Sequence, residues 1–158
     1  MEFSIRRMAE SEYRLLGDFL YEAISIPEGA APPPRSIIEL PELQVYIRDF
    51  GSGPADICCA AYAARRCIGA AWSRIMDDYG HLEDGVPSLA IAVFREFRGQ
   101  GIGTALLRAL LEELRAKGFA RASLSVQKAN PAVRLYRRLG FTAVAETDEE
   151  YLMLKELL

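Results

Sequence analysis

The chain is poor in the residues from which most catalytic centres are built. It has a single histidine, His81, and three cysteines, Cys58, Cys59 and Cys67, in 158 residues. One histidine beside three closely spaced cysteines makes no plausible zinc set. No G-x-S-x-G elbow accompanies His81, so a serine triad has no second anchor. An odd cysteine count with two neighbours adjacent is not a secreted disulfide framework, and reduced core thiols are expected. Basic residues are also short: 19 Lys and Arg against 22 Asp and Glu leave a formal charge of −3. Nothing in that balance would neutralise the phosphates of a nucleic acid. No apolar run reaches the roughly 18 residues of a membrane span, and M-E-F-S-I-R-R-M is no secretory leader. What remains is a core-forming, acidic, soluble chain, expected in the cytoplasm as one domain over residues 1–158.

The pattern along the chain alternates between strand and helix periods. Phe3 to Arg6 alternates as a strand, and Leu16, Phe19, Leu20, Ala23 and Ile24 recur at helical spacing within Glu10 to Ser25. Pro27 to Pro34 forms a stiff loop. A second helical stretch runs from Arg35 towards Phe50, interrupted or kinked at Pro41. Ala55 to Ala64 and Cys67 to Met76 form a hairpin pattern about Arg65-Arg66. Asp77 to Pro87 is polar loop. Ser88 to Phe94 is apolar throughout, as a strand buried on both faces would be. A leucine stripe marks a helix over Thr104 to Lys117, ended by Gly118. Ala122 to Val126 is a strand, Asn130-Pro131 starts a helix that ends near Gly140, and Thr142 to Glu146 and Glu150 to Lys155 are closing strands. The order β-α-α-β-β-β-α-β-α-β-β indicates an α/β fold on a mixed sheet.

The most informative segment is Arg98-Gly99-Gln100-Gly101-Ile102-Gly103-Thr104, a glycine-rich turn between a buried strand and an amphipathic helix. Glycines let the backbone turn and approach a ligand closely. The unpaired amides and positive dipole end of the following helix favour an anion such as phosphate or pyrophosphate, with Arg98 adding charge at the mouth. A tight strand-to-helix turn with no ligand remains the plain alternative. No lysine follows the glycines as a Walker A loop requires, and a dinucleotide fingerprint from Gly99 would need glycine where Thr104 stands.

With these residues the chain resembles the GNAT superfamily of acyl-CoA-dependent N-acetyltransferases. The stretch Ile91 to Leu107 is similar to the family's pyrophosphate strand, loop and helix, with an R-x-x-G-x-G core at Arg98, Gly101 and Gly103. Leu124 to Phe141 is similar to the next strand and helix, with landmarks at Asn130, Tyr136 and Gly140-Phe141. The clear similarity covers Ser88 to Phe141. It implies a GNAT-like fold whose fourth and fifth strands splay apart, with acetyl-CoA as co-substrate and no metal. It implies that Ile91, Ala92 and Val93 pair with the pantetheine arm. The amides of Arg98, Gly99, Gln100, Gly101, Ile102, Gly103 and Thr104 would hold the pyrophosphate, with Asn130 and Tyr136 beside the cofactor.

The activity so implied is acetyl transfer to a primary amine, of a small molecule, by direct attack in a ternary complex. Tyr136 is the candidate general acid for the departing thiolate. Relatives carry acids where this chain has Ser88 and Ser125, so the base is sought in the loop before the cleft strand, at Glu83, with Asp84 and Glu28 as further carboxylates. A covalent route through a cysteine finds nothing nearby to lower a thiol pKa. Two other readings stay open: a non-catalytic acyl-CoA-binding regulatory module, and acetylation of protein lysines or N-termini. Trp72, Arg74 and Tyr79 are candidates to line the acceptor pocket, with sheet packing the favoured role for Trp72, and the resemblance allows a monomer or a homodimer. The expected partners are acetyl-CoA and an amine, not nucleic acid or membrane.

Overall fold

The computed structural model describes residues 2–24, 26, 29–76 and 85–158. The elements in chain order are β1 (Ser4–Arg7), a 3-10 segment Glu10–Leu15, α1 (Leu16–Ala23), a 3-10 segment Arg35–Glu39 and α2 (Pro41–Gln44). Then come β2 (Ile57–Ala63), β3 (Arg66–Arg74), β4 (Ser88–Val93), a 3-10 segment Arg95–Phe97, α3 (Ile102–Ala116), β5 (Arg121–Gln127), α4 (Ala132–Arg138), β6 (Thr142–Glu146) and β7 (Glu150–Glu156). The expected order of strands and helices is therefore present. The second helical stretch is interrupted at Pro41, one of its two expected outcomes, and consists of a 3-10 turn before the proline and a single α turn after it. The hairpin turns at Ala64 and Arg65, both at positive φ, and Arg66 already belongs to β3.

All seven strands form one sheet in the order β1-β2-β3-β4-β5-β7-β6. Every neighbouring pair is antiparallel except β4 and β5, which run parallel and are in register only at Ser88 and Ser123. The alternation of side chains sends successive residues to opposite faces, each with its own core. On one face Cys58, Ala60, Ala70, Trp72 and Ala92 pack with Leu16, Phe19 and Leu20 of α1 and with Met8 and Ile38. On the other, Ile57, Cys59, Ala71, Leu89, Ala122, Leu124, Val126 and Met153 pack beneath the α3 stripe of Ile102, Leu106, Leu107, Leu110, Leu111 and Leu114. Adjacent Cys58 and Cys59 thus lie in different cores and cannot pair.

The expectation of a β4 buried on both faces is only half met. Ser88 and Leu89 are buried, whereas Ile91 and Val93 stay partly exposed because no strand continues beside them. Among the described residues no helix is long and apolar enough to cross a membrane.

Trp72 serves the sheet core, and Arg74 both ties the fold together and lines a surface depression. Trp72 is buried and its Nε1 donates to the Tyr46 carbonyl at 3.1 Å. Arg74 bonds the carboxylate of Asp56 through Nη2 at 3.0 Å and Nε at 3.3 Å, while its Nη1 donates to the Arg48 carbonyl at 2.7 Å. Asp56, with a side chain only 2% exposed, also accepts the amides of Gly51 and Gly53. This ion pair fastens the segment after α2 to the end of β3. Removing one member strands the other charge in the interior, so Asp56→Ala is expected to cost about 3–5 kcal/mol. Urea unfolding checks this: the midpoint should fall with an unchanged slope, and a loss below about 1 kcal/mol would contradict the assignment.

Candidate active site

The site is built on the one place where the sheet comes apart. The Phe94 amide donates to the Ile68 carbonyl at 3.0 Å, and β3 and β4 are antiparallel in that register. Alternation along such a pair turns the backbone groups of Ala90 and Ala92 towards β3 and those of Leu89, Ile91 and Val93 towards β5. The Ser123 amide donates to the Pro87 carbonyl at 2.9 Å, and past Ser88 and Ser123 the two strands share no further register. Of Ile91, Ala92 and Val93, the backbones of Ile91 and Val93 therefore face the gap. The backbone of Ala92 belongs to the β3 ladder and its side chain to the α1-side core.

The glycine turn closes the C-terminal end of this gap. Gly99 and Gly101 adopt φ of +80° and +81°, conformations that an L-residue adopts with strain. A Cβ at either position would meet no atom within 4 Å, so nothing else in the described chain packs against the turn there. Gly101 precedes α3, and the first helical bond runs from the Ala105 amide to the Gly101 carbonyl at 3.1 Å. The amides of Ile102, Gly103 and Thr104 thus precede the helical ladder, at the positive end of a 15-residue helix. The glycine cradle and these donors fit a diphosphate.

α4 lies against the same corner. A Cβ on Gly103 would sit 3.5 Å from Leu135 Cδ2 and 3.7 Å from Ile91 Cδ1, which brings α4, the first turn of α3 and β4 together. Tyr136 follows Leu135, is buried in the α3-side core, and stands edge-on to Phe141 with centroids 6.1 Å apart. Burial pushes its phenol above the ordinary value near 10. Asn130 accepts the Ala132 amide through Oδ1 at 2.9 Å, capping α4 while its own amide group stays available.

The Arg98 side chain does not simply point into the cradle. Its Nε donates to the Val93 carbonyl at 2.9 Å, and its Nη2 bonds Glu22 of α1 at 2.7 Å. Glu22 escaped the sequence reading because it lies 76 residues away, and no local spacing signals such a contact. Ser88, at the vertex of the gap, carries the buried side-chain oxygen that lacks a partner among the described residues. Glu83, Asp84, Glu28, Tyr79 and His81 lie outside the described residues. A depression of about 520 Å³ beside Arg48, Asp49, Arg74 and Met76 sits at the opposite end of β4 from the glycine turn.

No described His, Cys, Asp and Glu group is placed to hold a metal ion. The thiols are poor nucleophiles as well. Burial pushes Cys58 far up and Cys59 up to about 11, and it raises Cys67 too.

The description of the family whose model matches residues 20–141 is "Acetyltransferase (GNAT) family". A mycothiol acetyltransferase from Streptosporangium roseum is 38% identical over 79 residues, 49% of this chain and 23% of that protein. One from Saccharomonospora viridis is 34% identical over 123 residues, 75% of this chain and 40% of the relative. The matches thus span less than half the length of either relative. Among solved structures, the PaiA N-acetyltransferase of Thermoplasma acidophilum in complex with coenzyme A aligns with a TM-score of 0.73 at 19% identity, covering 99% of both chains. That likeness establishes the fold.

The thiol environment predicts reactivity directly. At pH 8 a disulfide reagent should leave Cys58 and Cys59 untouched in the folded protein and modify Cys67 slowly, with all three reacting after denaturation. Rapid native labelling of two thiols would contradict the burial and reopen a covalent route.

Proposed function

The chain belongs to the acetyltransferase (GNAT) family, and from that premise we propose that it moves an acetyl group from acetyl-CoA to the primary amine of a small molecule. The observation that carries the reading is the open gap between β4 and β5 leading to a glycine cradle. An extended pantetheine arm has the donors and acceptors of a strand and fits beside the Ile91 groups and the Val93 amide as a substitute for the missing partner, the Val93 carbonyl being held by Arg98. The diphosphate suits the amides of the turn and of the first turn of α3. For the acceptor, support comes from the curated relatives, whose names are built on mycothiol rather than on a protein.

The chemistry then needs little from side chains. Holding amine and thioester in one complex removes much of the entropic barrier. The neutral amine attacks the thioester carbon, the carbonyl oxygen gains charge beside β4 backbone donors, and the intermediate expels the CoA thiolate. Tyr136 serves the leaving sulfur. Its raised pKa keeps the phenol protonated at neutral pH, and it also makes full transfer to a thiolate of about 8.5 more uphill than an ordinary tyrosine would. Its contribution is therefore chiefly a donated hydrogen bond. The proton released by the amine leaves through water or a base, for which Glu83 is the candidate by its place in the chain. A second reading, acyl-CoA binding without turnover, draws on Ser88 and Ser125, neither of which is a base.

Calorimetry with acetyl-CoA, followed by CoA release across an amine panel, tests the assignment. Binding and turnover are expected, with Tyr136→Phe lowering kcat about 10- to 100-fold. Gly101→Val should weaken acetyl-CoA at least about tenfold, because a β-branched residue is strained at this positive φ and would shift the turn whose amides are proposed to hold the diphosphate. A wild-type protein that fails to bind acetyl-CoA would refute the reading, and binding without thioester consumption would select the second one.

A further inference from the structure

We propose that Glu22 is a positioning residue for the diphosphate of acetyl-CoA, acting through Arg98; the inference rests on the acetyl-CoA reading above. The observation is a three-membered chain: the Glu22 carboxylate, the Arg98 guanidinium and the Val93 carbonyl, joined at 2.7 and 2.9 Å. Nε and Nη2 flank one edge of the guanidinium, so both contacts use that edge. The other end, Nη1 and the second Nη2 hydrogen, makes no described contact and remains available for phosphate oxygens. An arginine held by one edge presents the other in a defined direction, and less freedom is lost when an anion binds.

The placement of Glu22 is itself well determined. Phe19, one helical turn earlier on α1, stacks on Phe94 with ring centroids 4.8 Å apart. Phe94 follows β4 directly, so this stack brings the last turn of α1 to the end of the gap. Glu22 is thereby held where the side chain of Arg98 crosses back over β4. Without that carboxylate only the Val93 carbonyl would restrain the arginine, a single bond about which the group can swing.

The bland alternative is a surface ion pair, with side chains 48% and 27% exposed, that contributes little to anything. A further alternative is that Glu22, as a negative charge near an anion site, only repels the ligand. The three accounts differ in sign. Positioning predicts that Glu22→Ala weakens acetyl-CoA binding, indifference predicts no change, and repulsion predicts tighter binding.

The test is calorimetric titration of the full chain with acetyl-CoA at low salt, for wild type, Glu22→Ala, Arg98→Ala and the double variant. Glu22→Ala should raise Kd about three- to tenfold with an unchanged Tm, while in the Arg98→Ala background its removal should bring no further weakening. In turnover assays KM for acetyl-CoA should rise with kcat and the KM of the amine unaltered, and the effect should shrink at high salt. Equal or tighter binding by Glu22→Ala overturns the proposal, as does a loss that persists without Arg98. Failure of the wild type to bind acetyl-CoA at all would overturn the underlying reading instead.

Discussion

The arrangement depends on one backbone pairing that stops early. β4 and β5 are held in register at Ser88 and Ser123 and nowhere beyond. In an ordinary parallel sheet the outward backbone groups of Ile91 and Val93 would bond the next strand. Here they face a gap, and a buried unpaired group would cost about 1–3 kcal/mol. Arg98 meets the Val93 carbonyl, and partial exposure leaves water to serve the Ile91 groups and the Val93 amide, water that a strand-like ligand would replace.

The rest of the molecule keeps the gap from closing. β4 is bonded to β3 along its whole length and clamped by α1 on one face and α3 on the other. β5 is held from the far side by β7, in register from Arg121 to Gln127. Two separately anchored half-sheets therefore meet at a vertex, with α4 and Leu135 bridging to the first turn of α3. Charge is spent locally in the same spirit: Asp56 and Arg74 lock a loop, while Glu22 and Arg98 meet across the mouth of the gap. A net charge of −3 is thus no obstacle to an anionic ligand, since the donors proposed to hold it are backbone amides at one helix end.

Much of this was legible in the residues because it depends on local chemistry. The α3 leucines, the apolar run of β4 and the turn glycines carry their signals within a few positions, and their elements lie where expected to within about two residues. The break in the second helical stretch was legible at Pro41, though not that each piece would shrink to a single turn. Trp72 packs in the sheet as its type suggested, whereas the ion pair that Arg74 makes with Asp56 shows only in its tertiary partners. Glu22 carried no signal at all, since its partner lies on a distant turn. The division of β4 into residues facing β3 and residues facing the gap likewise needs the register, which composition does not encode.

Amide hydrogen exchange resolved to single residues tests the central claim, that β4 offers an unpaired edge to a strand-like ligand. In the free protein the amides of Ile91 and Val93 should exchange much faster than those of Ala90 and Ala92, which are committed to β3. Saturating acetyl-CoA should then protect Ile91 and Val93, together with the amides from Gly99 to Thr104, and leave β1 and β2 unchanged. Equal protection along β4 in the free protein, or no change at Ile91 and Val93 on adding acetyl-CoA, would contradict the account.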